Sequence, residues 1–283
     1  MCNVGGVSTV ESNTTGSNSA GENRMVRTEQ QHREDIVHIG RLMYENGWIA
    51  ANDGNISIRL GPHQILATPT GVRKGMLCPS DLIVCDMDGR KISGERPPTT
   101  EMGMHLTIYH SREDVQAVVH AHPPTATGFA VAGRALNQGI LPEAIICLGF
   151  VPLAEYGIPG TPALSEGMQP YVDKYDAMLL ANHGAVAYGE DVFKAYARLE
   201  TVEHVARITL VAELLGGPKV LPRVEIEKLF AARTRYGIKA RNRFEPGAPL
   251  SAEDIPDPQE KIEMTREQLL SIIDEALRVR GVI

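Results

Sequence analysis

Residues 118–124 read VVHAHPP: an apolar run carrying two histidines one residue apart, closed by two prolines. The run predicts a strand. Side chains alternate along an extended chain, so His120 and His122 share a face with Val118. Their Cα atoms then stand about 7 Å apart, close enough for both imidazoles to converge on one ion. The other reading is a strand end whose histidines are satisfied by hydrogen bonds, and H-x-H alone does not choose between them.

A third ligand must come from elsewhere among the nine histidines. His32, His38, His110 and His204 fall on helical patterns in charged surroundings, and His63 sits in a Gly-Pro turn. His105 follows Glu101 by one helical turn, placed either to orient it or to pack. His183 differs. It lies in LLANHGAV, where Gly184 lets the chain bend sharply after an apolar strand, and tight turns present side chains at site mouths. Three neutral imidazoles leave an open coordination position, as a catalytic divalent ion requires.

Three further stretches are suited to an anion. DGNIS (53–57) and TPTG (68–71) are small, Gly-bearing turns beside strands whose backbone N–H groups can form a cradle. PTTE (98–101) sets Thr99 or Thr100 at a helix N-cap, where free amides also favour negative charge. Taken separately, each is more often an ordinary turn or cap. Arg73 and Lys74 follow TPTG as a solvated pair or as charge for the anion. Glu101 is either a carboxylate complementing the helix start or a general acid/base beside a metal. No Walker loop and no G-x-G-x-x-G occurs, so nucleotide binding has no support.

Around these motifs the chain alternates helix and strand patterns. Thr28 with Gln31 forms a capping-box pattern before an Ile36, Ile39, Leu42, Met43 stripe. NISIRL alternates Ile56, Ile58 and Leu60 with Ser57 and Arg59, as a half-buried strand does. QILAT, DLIVCD and VQAVVHAH read as strands, TTEMGMHLTIYH and PTATGFAVAG as helices, and AMLLANHGAVAYG as strand, turn, strand. Residues 191–215 form a long helix with Val192, Tyr196, Leu199, Val202 and Ala206 on one face. Alternating elements by themselves suggest a parallel α/β sheet. Residues 1–25, rich in Ser, Gly, Asn and Thr, are expected to be a disordered tail. Residues 26–240 are expected to form the domain, and 241–283 a Pro-rich arm and a last helix.

Composition bounds the function. The 283 residues carry a net charge of −7 and 43% hydrophobic residues, which argues against a general nucleic-acid binder. No apolar run is long enough to span a membrane, and no secretory pattern opens the chain. The four cysteines lack C-x-x-C spacing. A cytoplasmic protein with free thiols is expected.

The ordered set G-N-x-S, T-P-T-G, P-T-T-E, H-x-H and N-H-G, over about residues 29–239, resembles the class II aldolase/adducin family. The resemblance implies a three-layer αβα sandwich around a central, largely antiparallel sheet, and a homotetramer with active sites between subunits. It implies zinc, or another divalent transition metal, on His120, His122 and His183. It implies substrate phosphate at Gly54, Asn55, Thr70, Gly71, Thr99 and Thr100, a Thr pair standing where Ser-Ser is more common. Glu101 matches the catalytic carboxylate. The implied activity is cleavage of a ketose (deoxyketose) 1-phosphate to dihydroxyacetone phosphate and an aldehyde, through a metal-stabilised enediolate. The tyrosine that the fuculose-phosphate aldolases carry is missing from ILPEAIICLGFVP (140–152), and neither Tyr156 nor Glu143 is assigned in its stead. RYGI (235–238) offers Tyr236, contributed by a neighbouring subunit. The departure keeps a dehydratase, decarboxylase or epimerase of a related sugar phosphate as the alternative. A non-catalytic adducin-like interaction domain stands further off, because the histidine triad is intact.

Overall fold

The strand carrying VVHAH lies near the middle of an eight-stranded sheet in the computed structural model, which describes residues 27–238. In chain order the main elements are α1 (Glu29–Glu45), β1 (Asn55–Gly61), β2 (Gln64–Ala67), β3 (Ile83–Asp86), β4 (Lys91–Ser93), α2 (Met102–Ser111) and β5 (Ala117–Ala121). They continue with α3 (Pro124–Val131), α4 (Pro142–Cys147), β6 (Leu153–Ala154), α5 (Pro162–Val172), β7 (Ala177–Leu180), β8 (Gly184–Gly189), α6 (Val192–Leu214) and α7 (Arg223–Ala232). The strand order is β4-β3-β2-β1-β5-β8-β7-β6.

Neighbouring strands run antiparallel except β6 and β7, which are parallel. The parallel sheet suggested by alternating elements is therefore corrected, and the largely antiparallel sandwich is what the chain adopts. The cause is local: short turns join β1 to β2 and β7 to β8, and a turn of two or three residues can only return the chain alongside itself.

Both faces of the sheet are covered. On one, α1, α3 and α6 pack over Ile56, Ile58, Val119, Ala185 and Ala187. On the other, α2 and α5 pack over Ile65, Val118, Met178, Val186 and Tyr188. NISIRL thus departs from the half-buried strand its alternation suggests. Ser57 is fully buried, because α2 lies over the polar side of β1. The burial of apolar area on two faces, at about 25 cal/mol per Å², is the main drive for this layering.

Capping follows the sequence. Thr28 accepts from the Gln31 backbone N–H, and the Gln31 side chain accepts from the Thr28 backbone N–H. Asp191 caps α6 by accepting from the Lys194 N–H at 2.7 Å. The α6 face named from periodicity, Val192 to Ala206, is buried. Of the cysteines, Cys85 and Cys147 are free thiols, as expected. Among the described residues no helix is long and apolar enough to cross a membrane. The expected tail at 1–25 and the arm and helix at 241–283 lie outside the described residues.

Candidate metal and anion site

His120 is the penultimate residue of β5, and His122 follows the strand directly. The backbone N–H of His122 donates to the Trp48 carbonyl at 2.9 Å, which fixes the chain before Pro123. His183 sits in the β7–β8 turn, where Asn182 rather than Gly184 takes the left-handed conformation (φ 55°). Gly184 has a different task from the bend expected of it: a Cβ there would lie 2.5 Å from His122 Cδ2 and 2.6 Å from the Ala121 carbonyl oxygen. The glycine lets β8 pass against the His122 ring.

The three imidazoles converge. Their ligand-type atoms lie within 4.8 Å of one another, and the ring centroids stand 4.7 to 5.0 Å apart. His120 Nδ1 donates to the Ala185 carbonyl at 2.9 Å, which leaves Nε2 with a lone pair facing the site. That Nε2 is 3.2 Å from His122 Nε2. Two nitrogens at 2.0–2.1 Å from a tetrahedral zinc stand about 3.3 Å apart. Burial pushes His120 down to about 3 and also lowers His122, so both rings are neutral near neutral pH, as ligands must be.

Glu101 closes the group. Its Oε1 lies 3.0 Å from His183 Nε2 and its Oε2 3.4 Å from His120 Nε2. Asn55 Nδ2 donates to Oε2 at 2.7 Å. Burial alone would raise this carboxyl, but His120, His183 and Asn55 together outweigh it and hold the group well below the ordinary carboxylate range. Glu101 Oε1 and His183 Nδ1 are buried without hydrogen-bond partners. Unsatisfied buried polar atoms beside three converging imidazoles are the donor set a divalent ion completes, so the residues fit a metal. The helix start differs from the expected one: α2 begins at Met102 with Glu101 at the N-cap, and the Glu101 side chain makes no capping bond. It is drawn sideways to Asn55 and His183 instead.

The anion-friendly turns assemble beside this group. Gly54 takes φ 69°, and a Cβ there would sit 2.8 Å from the His120 carbonyl oxygen. Asn55 pairs with His120 across β1 and β5. Thr68 pairs with Ile56, donating its N–H to the Ile56 carbonyl at 3.0 Å, which carries the TPTG turn to the same end of the sheet. Pro69 bridges Pro98, and the Thr70 N–H donates to the Pro97 carbonyl at 3.2 Å. Thr70 is half-buried and Gly71 exposed; Thr99 is buried, its Oγ1 accepting from the Glu101 N–H, and Thr100 is exposed.

The solvated-pair reading of Arg73 and Lys74 is corrected at Lys74. In place of the solvated pair, Arg73 is exposed but Lys74 is buried, its Nζ donating to the Asn52 carbonyl at the DGN turn. Burial lowers its ammonium to about 8, against the pull of Asp53 and Glu101. Asp53 was missed as a partner of His122, its Oδ2 lying 3.5 Å from Nδ1. A turn lysine carries no sequence sign of burial; only the packing of the segment against α1 supplies it.

Tyr236 is not brought to the triad within the chain. It is exposed and lines a cavity of about 600 Å³ with Arg112, Cys147, Asp176 and Arg198 beside Gly189. Gly189 and Gly184 are the two ends of β8, about 17 Å apart for an antiparallel strand.

Comparison with known proteins agrees with this geometry. Residues 34–210 match the family model described as the class II aldolase and adducin N-terminal domain. The chain belongs to the class II aldolase/adducin family. The 5-deoxy-D-ribulose 1-phosphate aldolase of Bacillus thuringiensis serovar kurstaki is 34% identical over 213 residues, which is 74% of this chain and 98% of the relative. The 3-oxo-tetronate 4-phosphate decarboxylase of Pectobacterium atrosepticum is 30% identical over 204 residues, 71% of this chain and 92% of the relative. Among solved structures, an L-fuculose 1-phosphate aldolase superposes with a TM-score of 0.68 at 29% identity, over 74% of this chain and 99% of that one.

Proposed function

We propose that this chain is a zinc-dependent aldolase that cleaves a ketose 1-phosphate to dihydroxyacetone phosphate and an aldehyde. The observation that carries the reading is the convergence of three imidazoles on one point with the Glu101 carboxylate 3.0 and 3.4 Å away from two of them. His120, His122 and His183 would hold the ion. When bound, it supplies Lewis-acid polarisation of a substrate oxygen and neutralises developing negative charge. Relatives named as aldolases of sugar 1-phosphates support the substrate class.

The chain's own residues account for the remaining needs. Gly54, Asn55, Thr70, Gly71, Thr99 and Thr100 offer backbone N–H groups, three hydroxyls and an amide for the phosphate, with buried Lys74 adding positive charge behind them. In cleavage the C3–C4 bond breaks, the electron pair stays on the dihydroxyacetone phosphate half, and C3 gains a proton. Glu101, ionised in the free site, takes that proton from C3 in condensation, and in cleavage returns to C3 a proton it has taken up from solvent. The Asn55 hydrogen bond holds the carboxylate toward the reacting carbon. On the aldehyde side, Tyr236 from a neighbouring subunit of a homotetramer is the candidate for the C4 oxygen's proton, since its own chain sets it at the far end of β8.

A decarboxylase or related lyase is the second reading, favoured by the decarboxylase relative and by the absence of tyrosine from residues 140–152. Both reactions leave an electron pair next to a carbonyl and use the same residues. A panel of ketose 1-phosphates separates them. Dihydroxyacetone phosphate release with about one zinc per chain, abolished by Glu101→Gln, supports the aldolase. Turnover without dihydroxyacetone phosphate refutes it, and full activity after exhaustive chelation refutes the metal.

A further inference from the structure

Behind Glu101 and Asn55 runs a line of buried polar side chains, His105, Ser57 and Tyr109, that the proposed reaction does not use. Asn55 Nδ2 donates to Glu101 Oε2 at 2.7 Å. That orientation turns Asn55 Oδ1 toward His105 Nε2, with which it makes a short hydrogen bond. His105 Nδ1 is 2.7 Å from Ser57 Oγ, and Ser57 Oγ is 2.9 Å from the Tyr109 hydroxyl. His105 and Ser57 are fully buried, Tyr109 is 1% exposed and Asn55 3% exposed, so each depends on its neighbours in the line for its hydrogen bonds.

We propose that His105 is a positioning residue for the candidate proton carrier, its ring fixing which end of the Asn55 amide faces Glu101. The inference rests on the reading of Glu101 as that carrier.

The donors allow one consistent sense. A carboxylate only accepts, so Asn55 must present Nδ2–H to Glu101 and Oδ1 to His105. His105 Nε2 must then carry the hydrogen, and Nδ1 must accept from the Ser57 hydroxyl. Ser57 in turn accepts from Tyr109. Reversing the ring tautomer would aim an N–H at Ser57 and a lone pair at Asn55, and the amide would turn its oxygen onto the carboxylate. Tyr109 anchors the far end: the Arg59 guanidinium lies 4.8 Å from its ring centroid and donates to its carbonyl at 2.7 Å. Burial holds the His105 ring down to about 4, so it is neutral and able to play donor and acceptor at once. The spacing fits the elements. Glu101 and His105 are one helical turn apart at the start of α2, while Asn55 and Ser57 are alternate residues of β1 facing that helix.

Two variants and one spectrum test this. Leu at 105 keeps the bulk and removes both hydrogen bonds; Gln keeps an N–H donor for Asn55. In the zinc-loaded enzyme His105→Leu is expected to lower kcat about 100-fold, the effect of misplacing a reacting group by about 1 Å. Its KM and zinc content should stay within threefold, and His105→Gln should recover kcat to within about fivefold. In the metal-free chain, the histidine ¹⁵N spectrum should place the His105 hydrogen on Nε2. An unchanged kcat in His105→Leu, an equal loss in His105→Gln, or a hydrogen on Nδ1 would overturn the proposal. Should His105→Leu fail to fold, the Gln variant and the spectrum still decide. Glu101→Gln distinguishes the two levels: if it keeps full activity, the carrier assignment fails, whereas the His105 tautomer stands or falls separately.

Discussion

Replacing Gly184 with alanine puts one methyl group where the structure has no room for it. The added Cβ would meet His122 Cδ2 at 2.5 Å, the Ala121 carbonyl oxygen at 2.6 Å and His120 Cε1 at 3.3 Å. Ordinary carbon contact begins near 3.5 Å, so the His122 ring must retreat by about 1 Å. Gly184 is not in the left-handed region, so backbone conformation adds no cost and the effect is steric. Metal–ligand distances tolerate only about 0.2 Å. A 1 Å displacement of one ligand is expected to weaken metal affinity by 10- to 100-fold, the range seen when a ligand's support is removed. Overpacking should lower fold stability by about 1–3 kcal/mol. Competition against a chromophoric chelator gives the affinity, and urea unfolding of the metal-free protein gives the stability. Gly61→Ala is the control, because nothing lies within 4 Å of a Cβ there. Metal affinity in Gly184→Ala within twofold of the parent would refute the placement of His122 against β8.

Other perturbations have equally definite outcomes. Asp176 is buried and accepts from Arg112 Nη2 at 2.9 Å with Arg198 3.8 Å away; Asp176→Ala should cost about 2 kcal/mol in urea unfolding, the worth of one buried charged hydrogen bond, since Arg112 keeps Asp114 and Arg198 keeps Glu190. Thr28→Ala removes the α1 capping box and should cost about 1 kcal/mol, with no change in metal affinity. Fully buried His105 has its value pushed from 6.5 down to about 4, so between those pH values the unfolded chain binds a proton that the folded chain refuses. Stability of the metal-free protein should therefore fall as pH drops from about 6.5 to 4, with His105 contributing about 3 kcal/mol. Comparison with His105→Gln isolates that share; identical pH slopes for the two proteins would count against it.

The layers were legible where periodicity was clean. The α6 stripe, the α1 capping box and the strand–turn–strand of residues 177–189 follow directly from local pattern. Helix α5 did not, because Gly167 and Pro170 interrupt PALSEGMQPYV and mask the Leu164, Met168, Val172 stripe that it buries. The candidate ligands were legible through the period of two in VVHAH and the turn at His183. What the sequence could not disclose is what covers the polar side of NISIRL. Alternation says that a strand has two unlike faces; it does not say whether the polar one meets water. Here α2 meets it, and Ser57 and Asn55 become buried partners of His105 and Glu101. Lys74 is hidden for the same reason: its burial comes from α1, some thirty residues away in the chain.

The pairing of Asn55 with His120 across β1 and β5 also has a kinetic meaning. These two strands are central, and a slip of one residue would send both side chains to the wrong face. Closing β1 onto β5 in this register therefore also sets Asn55 beside His120. Amide hydrogens of Ser57, Val119 and Ala121 should then exchange with solvent only through global opening, at the same slow rate whether or not the metal-free protein has ever met its ion, apart from the stabilisation that binding adds to the whole.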